Sequence, residues 1–72
     1  MGVASMNAGV PETIRAIMAA RGFKHRAIAQ RAGIPPHDFS DMLNGRRLLK
    51  MKEVIDIAAA LEVTPSDLFK TV

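Results

Sequence analysis

The sequence predicts an all-α protein built from five short helices, and three observations support this fold class. Apolar residues recur at intervals of three and four positions, which is the period of a helix with one buried face. Glycine and proline divide these segments, since glycine often ends a helix and proline often begins one. No cysteine is present and 49% of the residues are hydrophobic, so compact helix packing must stabilise the fold.

The 72 residues are enough for one small domain. We expect residues 11–72 to form this domain and residues 1–10 to be a flexible N-terminal arm, because the arm is weakly polar and aperiodic. Met6 stands where an N-myristoylation motif requires Ser or Thr, and it could itself be an alternative start. The chain shows neither the pattern of a secretory signal nor a segment of membrane-spanning length.

The first two predicted helices are separated by a short connection. The first begins at Pro11 and ends at Gly22, and its buried stripe comprises Ile14, Ile17 and Met18. The second begins near Lys24, and its buried face comprises Ile28, Ala29 and Ala32. Because Lys24 cannot accept a backbone N–H bond, this helix start is weaker by roughly 1 kcal/mol than one capped by Ser or Thr.

A tight turn joins the second helix to the third. Ala29 is small where the two helices would cross, so their backbones can approach closely. Gly33 can adopt the positive φ that ends the second helix, because it has no Cβ. Ile34 can then fill the corner between the helices, and Pro36 suits the first turn of the third helix. These residues predict a helix-turn-helix unit.

The third predicted helix, Pro36–Asn44, has two opposed faces. Its apolar stripe comprises Phe39, Met42 and Leu43. Its opposite stripe presents hydrogen-bonding side chains of varied type, namely His37, Ser40, Asp41 and Asn44. A helix with one buried stripe and one varied polar stripe is suited to recognising another molecule. For His37 the less favoured alternative is an ordinary solvated surface residue.

Two more helices complete the predicted fold. The fourth spans about Met51–Leu61, and its predicted apolar stripe comprises Met51, Val54, Ala58 and Leu61, with Ile57 beside it. The fifth runs from Pro65 to about Lys70, because Thr64 can cap it while Asp67 occupies its third position. It presents Leu68 and Phe69.

The pattern Ala29-x3-Gly33-Ile34, then Phe39, then Asn44-Gly45-Arg46-Arg47 resembles the helix-turn-helix of the phage repressor and Cro-like family, which is of the XRE type. The resemblance extends over roughly Glu12 to Phe69. It implies a five-helix lambda-repressor-like domain that binds double-stranded DNA sequence-specifically. Helix 36–44 would enter the major groove, and a homodimer would bind a two-fold operator with half-sites about 34 Å apart.

Five positions depart from the family pattern. Lys24 and His25 stand where many relatives have Ser or Thr followed by Gln. Met18 and Leu43 occupy the positions of an Arg–Glu ion pair in several relatives, and an apolar pair of similar volume is often neutral or stabilising there. Glu62 stands where the family usually has a glycine in the left-handed conformation after the fourth helix.

Charge and resemblance together predict the DNA contacts. The formal net charge is +3, and seven of the ten Lys and Arg residues lie between positions 24 and 52. A solvated surface is the ordinary alternative, but here the charges bracket a patterned helix, which favours a polyanion. The expected DNA backbone contacts are Lys24, His25, Arg26, Asn44, Arg46 and Arg47. The expected base contacts are Pro36, His37, Ser40 and Asp41, with Asp41 accepting from cytosine N4 or repelling a misplaced phosphate.

Parts of the sequence are also compatible with functions other than DNA binding. The main alternative is a protein-interaction module, such as an antitoxin that neutralises a partner protein, because Asp38 and Asp41 add negative charge on the third helix. His37, Ser40 and Asp41 are the residue types of a hydrolytic triad. Because residues one turn apart on a helix cannot adopt the geometry of such a triad, no enzyme activity is expected. Two histidines are too few for a metal site, and no cofactor is expected.

We expect the protein to act as a Cro-like or repressor-type regulator in the cytoplasm and nucleoid of a prokaryote or phage-infected host. Control would come from operator occupancy, because no effector domain is expected after the fifth helix. The apolar side chains most available for a homodimer contact are Phe69 and Val72, unless Phe69 instead closes the core.

Overall fold

The computed structural model describes residues 9–69. Five helices follow one another along them: α1 (Val10–Arg21), α2 (His25–Ala32), α3 (Pro36–Leu43), α4 (Met51–Leu61) and α5 (Pro65–Leu68). Helix α2 packs against α3 and α4, while α1 packs against α3 and α5. The predicted all-α, five-helix fold is confirmed.

One apolar cluster with contributions from every helix forms the core. Phe39 and Met42 of α3 are fully buried in it, and Leu43 is nearly so. Each such side chain contributes about 1.5–3 kcal/mol by leaving water. Met18 and Leu43 are both buried in the same cluster, as expected of an apolar pair in place of an ion pair. The predicted apolar stripe of α3 is therefore confirmed.

Both ends of the described fold differ slightly from the predicted boundaries. Helix α1 begins at Val10 rather than Pro11, because Gly9 turns the chain with φ 84° and Val10 is only 1% exposed. Helix α5 ends at Leu68, and Phe69 caps it. The first eight residues of the predicted arm, together with Lys70 and Val72, lie outside the described residues.

The predicted apolar stripe of α4 was wrong at Met51, which is 53% exposed. The buried face of α4 instead comprises Val54, Ile57, Ala58, Ala60 and Leu61. At about 100° per residue, Met51 lies about 120° around the helix from Ile57, so it falls at the edge of the buried arc. Its exposure leaves an apolar side chain on the surface at the start of α4.

The helix ends match the expected capping chemistry. Gly33 adopts φ 73°, and the Ile34 N–H donates to the Ala29 carbonyl at 2.9 Å. Glu62 adopts φ 63° and ψ 40°, and it is the one non-glycine residue with positive φ among residues 9–69. Thr64 and Asp67 cap α5 reciprocally, as predicted. Lys24 precedes α2 without a side-chain cap, also as predicted.

Two further observations concern how the helices are joined and how long they are. Arg21 donates from Nη1 to the Leu61 carbonyl at 2.8 Å, which joins the ends of α1 and α4 and places a cation at the negative end of α4. No helix within residues 9–69 has both the length and the apolar character needed to cross a membrane.

Candidate nucleic-acid interface

Helix α3 is fixed from one side and exposed on the other. Its apolar stripe is in the core, and Ile34 of the preceding turn is buried beside it. Ala29 of α2 is fully buried, as the predicted close approach of α2 and α3 requires. The opposite side of α3 is consequently held rigidly while remaining open to another molecule.

The predicted base contacts lie on this open side. Pro36, His37 and Ser40 are exposed, and Asp41 is half-buried. Asn44 follows the last residue of α3 and caps the helix, with its side chain also exposed. The structure therefore brings all of these residues to one face, as the helical period predicted.

Weak polar contacts connect the side chains of that face. His37 Nε2 lies 3.5 Å from Asp41 Oδ2, and Arg46 Nη1 lies 4.0 Å from Asp41 Oδ1. Such long, solvent-exposed contacts contribute little to stability. The Arg46 contact does place the negative charge of Asp41 next to a cation, which reduces its repulsion of an approaching polyanion. The Ser40 hydroxyl accepts from Asn44 Nδ2 at 3.5 Å.

Arg15 joins this face from α1, and sequence analysis missed it. Arg15 Nη2 donates to Asn44 Oδ1 at 2.6 Å, across 29 positions of sequence. Both side chains are exposed. No local pattern could have indicated this contact, because it depends on how α1 packs against α3. The position of Arg15 on the polar side of α1 was the available clue.

Arg46 and Arg47 are neighbours with different surroundings. The side chain of Arg46 is 75% exposed, whereas that of Arg47 is 35% exposed. Arg47 donates from Nη2 to Glu53 Oε2 at 2.8 Å, and its Nη1 lies 3.6 Å from Asp38 Oδ2. Arg47 thereby links the first turn of α3 to the first turn of α4. Its predicted contact with DNA remains a prediction, but its donors already have partners within the protein.

The start of α2 presents the remaining predicted backbone contacts. Lys24, His25 and Arg26 are all exposed, and no side chain caps this helix end. The positive end of a helix with free N–H groups favours an anion such as a phosphate. The His25 ring packs edge-on against the Phe39 ring at 6.1 Å, so the start of α2 is held against α3.

The same face has no arrangement of a hydrolytic triad. The Ser40 hydroxyl contacts Asn44, while His37 faces Asp41. Among residues 9–69, no three His, Cys, Asp or Glu side chains are grouped so that they could hold a metal ion. The arrangement is suited to hydrogen bonding and charge pairing with a bound molecule.

Comparison with known proteins gives three findings. A family model described as a Cro/C1-type HTH DNA-binding domain matches residues 13–72. The fold is similar to the crystal structure of the restriction-modification controller protein C.AhdI from Aeromonas hydrophila, with a TM-score of 0.81 and 21% sequence identity. That match covers 88% of this chain and 96% of the other. The comparison with curated proteins gave no match.

The family match includes all of α2, the turn, α3, α4 and α5, together with most of α1. The prediction of a helix-turn-helix DNA-binding domain is confirmed, and the protein-interaction module is not favoured. The helix-turn-helix residues, their geometry and the family match agree. The chain therefore belongs to the family of Cro/C1-type helix-turn-helix DNA-binding domains.

Proposed function

We propose that this chain is a transcription regulator that inserts α3 into the major groove of an operator and acts by occupying it. The observation that supports this most directly is the structure of α3, which is anchored in the core by one stripe and exposes a polar stripe on the other side. Exposed cations lie near this stripe, at the start of α2 and just after α3. A major groove about 12 Å wide accepts a helix presented in this way.

Phosphate contacts are assigned to two places. The first is the start of α2, where Lys24, His25 and Arg26 accompany the uncapped backbone N–H groups. The second is Asn44 together with Arg46, whose weak contact at 4.0 Å with Asp41 is easily exchanged for a phosphate. We leave Arg47 out of this set, because two carboxylates already hold its guanidinium.

Base contacts are assigned to the exposed stripe of α3. His37 and Ser40 can donate or accept hydrogen bonds, and Pro36 offers only apolar contact. Asp41 would accept from cytosine N4, which gives preference for one base pair over another. Because Asp41 also repels a misplaced phosphate, it would contribute more to specificity than to affinity.

The operator complex is proposed to contain a homodimer, since a domain of this size alone makes few contacts with DNA. The structure revises which apolar side chains are available for self-association. Leu48, Met51 and Ile55 are 62%, 53% and 48% exposed, against 37% for Phe69. Met51 and Ile55 lie one turn apart on α4, and Leu48 precedes this helix. We call these three exposed side chains the α4 apolar stripe, which is distinct from the buried face of α4.

A second copy is a suitable partner for the α4 apolar stripe because charges of both signs lie beside it. Lys52 donates to Asp56 at 2.9 Å. This hydrogen bond, followed by the negative charge of Asp56, raises the pKa of Lys52 above its ordinary value. Across a two-fold axis, each protomer would present the same two charges, so Lys52 of one protomer can face Asp56 of the other rather than a second lysine.

The proposed setting is the cytoplasm and nucleoid of a prokaryote or phage-infected host, and the proposed role requires no catalytic step. The test is selection of bound duplexes from a randomised pool of double-stranded DNA. We expect a two-fold symmetric consensus with half-sites about 34 Å apart. If no sequence is enriched, sequence-specific operator binding is wrong. If single half-sites are enriched, the homodimer is wrong.

A further inference from the structure

The hydrogen bond between Arg15 and Asn44 has a specific chemical consequence. A guanidinium has five N–H donors and no acceptor, so an amide can face it only through its oxygen. Arg15 therefore fixes which way the Asn44 amide is turned: Oδ1 faces α1, at 2.6 Å from Arg15 Nη2. The amide nitrogen must then face the other side, which is the side of Ser40.

The amide nitrogen of Asn44 is left with donor capacity on that side. Its contact with Ser40 Oγ is 3.5 Å long, which is weak for a hydrogen bond. Nδ2 has two hydrogens, so at least one remains for an external acceptor. Asn44 also caps α3, so the backbone at this point is fixed by the helix. The end of α3 therefore fixes the position of this donor, and the Arg15 guanidinium fixes its orientation.

We propose that Arg15 is a positioning residue for DNA binding, which holds Asn44 with its Nδ2 group directed toward a phosphate oxygen. This inference rests on the proposed DNA contact of Asn44 and extends the interface from α2 and α3 to α1. Without Arg15, the exposed amide can rotate to either orientation. An amide turned the other way presents its oxygen to the phosphate, so the hydrogen bond to the phosphate is lost and repulsion replaces it.

A double-mutant cycle tests this role. Arg15→Ala and Asn44→Ala are measured singly and together against the selected operator duplex. We expect Arg15→Ala to weaken binding by about tenfold for each half-site, as for loss of one hydrogen bond to a charged group. In the Asn44→Ala background, the same substitution should weaken binding by about twofold or less, because no amide remains to be oriented.

Arg31→Ala is the matched control, since it removes an exposed arginine charge from the far end of α2, where Arg31 lies over the Phe23 ring. It reports how much affinity is lost through net charge alone. Melting temperatures of Arg15→Ala and the wild type should agree closely, because the Arg15–Asn44 pair is exposed. A purely structural role would lower the melting temperature and would affect binding equally in both backgrounds.

An NMR measurement follows the amide directly and needs no DNA. Arg15→Ala should shift the Asn44 side-chain NH2 resonances, while Arg31→Ala should leave them in place. Unshifted resonances, equal losses of affinity in both backgrounds, or a loss no larger than that of Arg31→Ala would each overturn the positioning role. If the wild type itself binds no DNA, the proposed function fails first, and that outcome is distinct from a failure of Arg15 alone.

Discussion

Arg47 Nη2 lies 2.8 Å from Glu53 Oε2, and this ion pair joins the segment after α3 to the first turn of α4. Glu53 also accepts the Lys50 N–H through its other oxygen at 2.8 Å, so one carboxylate both caps α4 and holds Arg47. Because both side chains are partly shielded from water, the pair is less screened than a surface ion pair. The contact therefore ties the segment after α3 to the start of α4.

Arg47→Met should therefore lower the free energy of unfolding by about 1 kcal/mol, because it removes a charged hydrogen bond while keeping an apolar stem similar to that of arginine. Urea unfolding followed by circular dichroism measures the change. Lys52→Met is the matched control, since the Lys52–Asp56 pair is solvent-exposed at Lys52 and its loss should change little. Equal effects of the two substitutions would show that Arg47 is an ordinary surface residue.

Glu62→Gly should stabilise the protein. Glu62 adopts φ 63°, and a residue with a Cβ in the left-handed region loses roughly 1–2 kcal/mol relative to glycine. Part of this gain is offset by the greater freedom of glycine in the unfolded chain. A net gain of about 1 kcal/mol would raise the melting temperature by about 4–8 °C. DNA affinity should stay nearly unchanged.

The reciprocal substitution Gly33→Ala is the control for Glu62→Gly. Gly33 adopts φ 73°, and an added Cβ would meet no atom within 4 Å, so only backbone strain is introduced. The melting temperature should fall by a similar amount. A lower melting temperature for Glu62→Gly would mean that the Glu62 side chain makes a stabilising contact that outweighs the strain.

Asp41→Ala should alter sequence preference more than affinity for random DNA. Removing its carboxylate takes away an acceptor for cytosine and also releases Arg46 and His37 from their weak contacts. Selection from a randomised DNA pool with each protein gives the comparison. The same consensus from both proteins would remove Asp41 from the base-contacting set.

Ile55→Lys should reduce the number of protomers on the operator duplex from two to one by placing a charge in the α4 apolar stripe. Sedimentation velocity with the duplex measures this stoichiometry. Ala20→Lys adds the same charge on an exposed position of α1 and should leave two protomers bound. Should Phe69→Ser alone abolish the second protomer while the helices persist, the contact lies at α5 and not along α4.

Periodicity and capping chemistry predicted most of the fold. The stripe of Phe39, Met42 and Leu43 and the positive φ of Gly33 depend on local sequence, so they could be predicted without the structure. Met51 was assigned wrongly because helical period alone does not say how wide the buried arc of α4 is. Its width depends on the helices packed around it.

The candidate site could be predicted in its outline but not in its internal contacts. The shared face of His37, Ser40 and Asp41 follows from the helical period. The contacts of Arg15 with Asn44 and of Arg47 with Glu53 follow from side-chain conformations and from helix packing across distant parts of the chain. Sequence could not distinguish Arg46 from Arg47, although the structure gives them different partners.

The salt dependence of operator binding, compared between Arg46→Ala and Arg47→Ala, tests the proposed DNA-facing surface most directly. Each phosphate contact contributes about 0.9 to the slope of log K against log salt concentration. Arg46→Ala should lower the slope by about one unit for each protomer bound, on selected and random duplexes alike. Arg47→Ala should leave the slope nearly unchanged. A slope unaffected by Arg46→Ala, or lowered equally by both, would contradict the proposed orientation of α3 on DNA.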